Sequence, residues 1–127
     1  MTEIAVASRD NTVVGMIGMG DMGAALAGSI MRSYSLVVFD IRAEAVLRMV
    51  TLGARAADSL EALSDQCEVV IVVVVDDKQV NQVVGDLLRH PGKIHTIIVS
   101  ATVLPTTIAI APASVRLSTV QRWDLRK

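Results

Sequence analysis

Val13-Val14-Gly15-Met16-Ile17-Gly18-Met19-Gly20-Asp21-Met22-Gly23 is the stretch on which the reading of this chain turns. An apolar run enters a glycine-rich turn, and an Ala-rich, helix-compatible segment, Ala24 to Met31, leaves it. Gly18, Gly20 and Gly23 carry the spacing G-x-G-x-x-G. Each glycine has a physical use if the turn holds a pyrophosphate. The first permits the tight exit from a strand, the second lets phosphates approach bare backbone, and the third brings helix and strand together. The helix N-terminus then offers free N–H groups and the positive end of its dipole to the anion. A plain strand–turn–helix carries the same letters, so the glycines by themselves leave both readings open.

Working outward, strands and helices alternate. Thr12 to Ile17 reads as a first strand and Asp21 to Arg32 as a first helix, with Ala24, Ala25 and Ala27 allowing close approach to a sheet. Leu36-Val37-Val38-Phe39 reads as a second strand that ends at Asp40. Ala43 to Leu52 has helical spacing, with Val46, Leu47 and Val50 on one side and Gly53 as a stop. A short third strand, Ala54 to Ala57, precedes a helix from Leu60 to Asp65. Asp58 or Ser59 caps that helix, and Glu61 lies close to the capping-box position for Asp58.

Val69 to Val75 is the clearest strand: seven consecutive β-branched residues do not alternate, which predicts burial on both faces. Asp76-Asp77 opens the next helix, carrying Val80, Val83, Val84, Leu87 and Leu88, and His90-Pro91-Gly92 closes it. Thr96 to Val99 is a fifth strand. The alternation predicts an α/β fold, an open parallel sheet with right-handed crossovers, doubly wound with helices on both faces. Residues 1–11 read as a poorly ordered lead, 12–107 as one domain and 108–127 as an atypical basic tail with Arg116, Arg122, Arg126, Lys127 and an exposed Trp123.

Composition narrows the classes. The chain has 127 residues, enough for one domain, and 52% are hydrophobic. Tyr34, Phe39 and Trp123 are its only aromatics, so the core is aliphatic. A net charge of −1, with no basic stripe interleaved by aromatics, speaks against a nucleic-acid partner. The single cysteine, Cys67, excludes an intrachain disulfide and a Cys-based zinc cluster, and reads as a buried thiol. The lead lacks a basic start followed by an apolar block, and Val69 to Val75 is too short to span a bilayer. The expectation is a cytoplasmic protein with no membrane or metal partner.

A carboxylate completes the cradle. Asp40 lies 22 residues after Gly18 at the end of an apolar run, where an acid accepts hydrogen bonds from the ribose hydroxyls of NAD. A 2′-phosphate at the same place is repelled, so NAD is preferred to NADP. Arg42 is near enough to reach over the adenine or a phosphate. The competing reading of Asp40 is a turn or cap residue before Ala43. No Gly-Lys-Ser/Thr follows the glycines, which excludes a P-loop nucleotidase. A methyltransferase with a similar turn fits the later segments less well.

With these residues in view, Ile17-Gly18-Met19-Gly20-Asp21-Met22-Gly23 resembles the amino-terminal signature of the 3-hydroxyisobutyrate dehydrogenase family of β-hydroxyacid dehydrogenases, relatives of 6-phosphogluconate dehydrogenase. Met22 before the last glycine is the distinguishing letter. The similarity continues through Val38-Phe39-Asp40, Leu52-Gly53-Ala54, Ala57-Asp58-Ser59, Val75-Asp76-Asp77 and Ala101-Thr102-Val103-Leu104-Pro105.

The resemblance implies a Rossmann-type NAD(P)-binding domain. In it Gly18, Met19, Gly20, Asp21, Met22 and Gly23 bind the phosphates, and Asp40 binds the adenosine ribose. Val74 and Val75 line the cofactor with backbone, and Thr102 approaches the nicotinamide half. Ala101 stands where the family's segment has a substrate-holding Ser, which leaves Ser100 beside it as the substrate candidate. Nothing between Pro105 and Lys127 matches the family's D-A-P-V-S-G-G segment or the helical carboxy-terminal domain that supplies its catalytic Lys.

No catalytic residue is therefore named; Lys78 and Lys93 do not match that place, and His90 and His95 read as loop or strand-edge residues. The expectation is a truncated domain that binds cofactor without turnover by itself. It is also expected to self-associate through the surface that the missing domain covers. A stand-alone non-catalytic dinucleotide-binding or interaction module is the alternative.

Overall fold

The computed structural model describes residues 12–18, 21–73, 77–100 and 115–120. β1 (Val13–Ile17) is followed by α1 (Asp21–Met31), β2 (Ser35–Phe39) and α2 (Ala43–Thr51). Then come β3 (Arg55–Ala56), α3 (Leu60–Gln66), β4 (Val69–Val72), α4 (Asp77–Arg89), β5 (Thr96–Ser100) and β6 (Arg116–Val120). The strands form one sheet in the order β3-β2-β1-β4-β5-β6. All neighbours run parallel. The lead at residues 1–11 lies outside the described residues.

Register sorts the side chains onto two faces. Gly15 is level with Val37 on one side and Val70 on the other, and Val70 with Ile97. Val37, Val70, Val72, Ile97 and Val99 share one core with Leu63 of α3 and Val80, Val84 and Leu87 of α4. The alternate residues Val14, Met16, Leu36 and Val38 share the other core with Ala27 of α1 and Ala45 and Met49 of α2. Connections leading from β1 toward β3 thus lie on one face, and the one from β4 to β5 on the other. Right-handed crossovers require this when the direction of travel along the sheet reverses. The sheet is doubly wound around two aliphatic cores.

Local signals explain most boundaries. Gly53 has φ 118°, and its N–H donates to Val50 O at 3.0 Å while that of Ala54 donates to Met49 O at 3.0 Å. These two bonds close α2 in a Schellman motif, with a left-handed glycine where a side chain is strained. Of the two cap candidates, Ser59 caps α3: its Oγ accepts from the N–H of Ala62 at 3.1 Å. Ala62 rather than Glu61 then stands at N3, so no capping box forms. Gly15 brings α3 onto β1, since an added Cβ would lie 2.8 Å from Leu63 Cδ2 and 2.9 Å from Cys67 Sγ.

Further expectations change. The side of α2 read from Val46, Leu47 and Val50 is not the buried one: Ala45 and Met49 are buried, and Leu47 and Val50 are exposed. Val69 to Val75 forms a strand over Val69–Val72, in which Val70 and Val72 are buried and Val69 and Ile71 half-buried. Val74 and Val75 lie outside the described residues. The stretch expected to be tail contributes β6, paired with β5 from Thr96↔Arg116 to Ser100↔Val120. Backbone pairing with β5 governs there, and the positive charge around the strand does not prevent it.

Candidate functional site

In a parallel sheet every strand ends on the same edge. Gly18 follows β1, Asp40 follows β2, Val73 follows β4, and Ser100 ends β5. The crevice between β1 and β4 is where the order of connections reverses, and open α/β sheets bind ligands at such a point, outside the carboxyl ends of the strands. Two backbone bonds tie its rim. The N–H of Gly18 donates to Phe39 O at 3.0 Å, and that of Val73 to Ile17 O at 2.7 Å.

The turn itself has the backbone the spacing demands. Gly18 has φ 87°, in the left-handed region that favours glycine. Gly23 is buried, and an added Cβ would stand 3.0 Å from Gly18 O and 3.8 Å from Val73 Cγ1. The first turn of α1 thus packs directly on the exit of β1, with the helix N-terminus facing the crevice. Met19 and Gly20 lie outside the described residues, and Asp21 and Met22 are placed as the first residues of α1.

Asp40 makes the turn bond that its alternative reading required. Its Oδ1 accepts from the N–H of Arg42 at 2.9 Å, and its Oδ2 accepts from Arg42 Nη2 at 3.4 Å. The Asp40 side chain is 7% exposed and that of Arg42 51%. The turn role and the position at the end of β2 coincide in one residue. Between them Ile41 is 86% exposed. Sequence reading passed over Ile41; the signal was a large apolar residue set between an acid and a base, with no packed element to receive it.

Of the other candidates, Ser100 and Lys78 lie toward this same edge and the other described ones lie elsewhere. Ser100 ends β5 beside Val120 of β6, and Thr102 lies outside the described residues. Lys78 is exposed in the first turn of α4, and Lys93 is exposed in the turn before β5. Both histidines lie toward the opposite edge. His90 Nε2 is 3.0 Å from Asp65 Oδ1, and His95 Nδ1 is 2.8 Å from Thr96 Oγ1. Cys67 precedes β4 on that edge too, where burial pushes its thiol up to about 12. Among the described residues no group of three or more His, Cys, Asp or Glu is placed to hold a metal ion. No helix among them is long and apolar enough to cross a membrane.

A glycine cradle at the switch point and an acid at the end of β2 define a dinucleotide-binding domain of the Rossmann class. Residues 13–121 match the family model of the NAD binding domain of 6-phosphogluconate dehydrogenase, and the chain belongs to that family. It is 33% identical over 98 residues to the L-threonate dehydrogenase of Cupriavidus necator, covering 72% of this chain and 32% of that protein. It is 33% identical over 101 residues to the 3-hydroxyisobutyrate dehydrogenase of Pseudomonas aeruginosa, covering 76% and 34%. The solved 3-hydroxyisobutyrate dehydrogenase of Salmonella typhimurium superposes with a TM-score of 0.72 at 29% identity, over 85% of this chain and 40% of that one. The chain spans about a third of the length of the curated relatives it matches.

Proposed function

We propose that this chain is the cofactor-binding part of a β-hydroxyacid dehydrogenase that moves hydride between a 3-hydroxy acid and a nicotinamide cofactor, with NAD preferred to NADP. The observation that carries the reading is the glycine turn at the β1–β4 switch point with Asp40 beside it. The bare Gly18–Gly23 backbone and the α1 N-terminus receive the pyrophosphate. The Asp40 carboxylate accepts from the ribose hydroxyls and disfavours a 2′-phosphate. Ile41 offers an exposed apolar surface next to that ribose, suited to a purine face.

The family resemblance completes the assignment: it gives Val74 and Val75 to the cofactor, Thr102 to the nicotinamide half and Ser100 to substrate. When bound, the nicotinamide supplies the hydride acceptor or donor. No described residue is assigned as the proton donor that hydride transfer needs. The names of the relatives, an L-threonate and a 3-hydroxyisobutyrate dehydrogenase, support a hydroxy acid as the substrate class. Turnover is not expected of this chain alone.

The test is calorimetric titration of the chain with NADH and with NADPH. NADH is expected to bind more tightly. Failure of both to bind at millimolar concentration would sink the cofactor assignment.

Self-association belongs to the same reading, and exposed Ile41, Leu47 and Leu52 support it. A dilution series by light scattering is expected to show dissociating oligomers; a monomer at every concentration removes that part. The fully buried Cys67 fits a cytoplasmic setting.

A further inference from the structure

We infer that the outer face of α2 is where a second copy of this chain docks, the two α2 helices lying antiparallel about a twofold axis near Leu47; the inference rests on the self-association reading above and names its contact. α2 is apolar on more than the side it buries. Ala45 and Met49 face the core, yet Leu47 is 66% exposed and Val50 39%. Ala43, Leu47 and Val50 stand at i, i+4 and i+7, so they form one line along the helix. Ala43 is exposed as well.

Charge and side-chain size say that the occupant is α2 itself. Glu44 lies in the first turn and Arg48 in the last. They stand on the same flank of the apolar line, one turn apart. Among the described residues neither forms an ion pair. Turned end for end, the helix presents Arg48 where Glu44 was. An antiparallel pair therefore sets Glu44 of each copy beside Arg48 of the other, twice over, whereas a parallel pair sets like charges together. Leu47 lies one residue from the midpoint between those two charges, so the two copies of Leu47 meet at the axis. Val50 then falls opposite Ala43 of the other copy, a large side chain against a small one. The surface is complementary to itself, as an isologous contact requires. One short helix from each copy is small beside the ~800 Å² per partner of a stable complex, so the dimer is a weak one.

Sedimentation equilibrium from micromolar to millimolar chain reads the dimer, for wild type, E44R, R48E, L47Q and an equal mixture of E44R and R48E. Wild type is expected to reach a dimer and nothing larger, because an isologous contact closes at two. Each charge reversal is expected to weaken it about tenfold, since like charges then meet twice. L47Q should weaken it at least as much. The mixture is expected to restore the dimer, one copy now carrying two bases and the other two acids. A Glu44–Arg48 pair within one helix makes no such prediction. All three positions are exposed, so the dilute variants should melt as wild type does; if a reversal lowers the melting temperature, E44K or R48D repeats the test. A wild-type dimer that the variants leave unchanged, or that the mixture fails to restore, overturns this contact and leaves self-association through another surface standing. Wild type that stays monomeric throughout overturns both, and leaves the cofactor reading to its own titration.

Discussion

Gly23 lies so close beneath the end of β1 that a Cβ added to it would stand 3.0 Å from the carbonyl oxygen of Gly18. The obstacle is backbone, so α1 has to shift to admit even a methyl group. The same shift moves the helix N-terminus away from the turn it serves. Gly23→Ala is expected to weaken NADH binding about tenfold and to cost about 1–3 kcal/mol of stability. Titration and thermal melting of the same sample check both. Unchanged affinity would separate this contact from the cofactor.

Gly15 makes a comparable approach within the core. Its missing side chain leaves room for Leu63 and Cys67, both fully buried. Gly15→Ala is expected to lower the urea midpoint, by about 1–3 kcal/mol of overpacking. Cys67→Ala in the same chain removes one of the two obstructing atoms, so the double variant should be more stable than the sum of the single losses. Strict additivity in a urea-melt cycle would show that Leu63 alone sets the limit.

The buried thiol predicts an alkaline weakness. Desolvation raises Cys67 from 9.0 to about 12, with Arg55 opposing the shift and Glu68 adding to it. Between those values the unfolded chain has released a proton that the folded chain retains. Stability therefore falls as pH rises, by at most about 1.4 kcal/mol per pH unit. Below 9.0 this thiol is protonated in both states and contributes no slope. Urea midpoints measured across the window should fall more steeply for wild type than for Cys67→Ala, and parallel curves would contradict the assignment.

Ser59 tests the local code. Its Oγ satisfies the N–H of Ala62 at the start of α3. Ser59→Ala is expected to cost about 1 kcal/mol, and Ser59→Asp to restore most of it. Asp58→Ala should change the urea midpoint little, because the cap does not use it.

The strand and helix alternation was legible because aliphatic runs alternate with helical spacing, and glycine and acids stand at the breaks. Gly18, Gly23 and Asp40 were legible because a parallel sheet sends all its strand ends to one edge. β6 was not. Ser118 and Thr119 interrupt its apolar character, and its neighbours Arg122 and Arg126 give the segment the look of a solvated tail. An edge strand needs only one pairing neighbour, and its backbone bonds to β5 leave little trace in composition. The choice between Asp58 and Ser59 was likewise out of reach, since both side chains carry the acceptor that a cap requires. For Asp40 the two readings were framed as rivals, and the turn bond that is observed does not exclude the proposed ribose role, since it holds the carboxylate at the end of β2.

The sheet's centre is joined across 55 residues of chain, from Val14 to Val69. A ribosome delivers β1, α1, β2 and α2 long before β4, and chains fold from the end made first. Until β4 emerges, β1 is an unpaired edge, and such edges invite the wrong partner. The nascent chain therefore passes through a stage with one wall of its nucleotide crevice built and its most apolar strand still to come. Closure of that long loop is a non-local step, of the kind that slows the folding of parallel sheets.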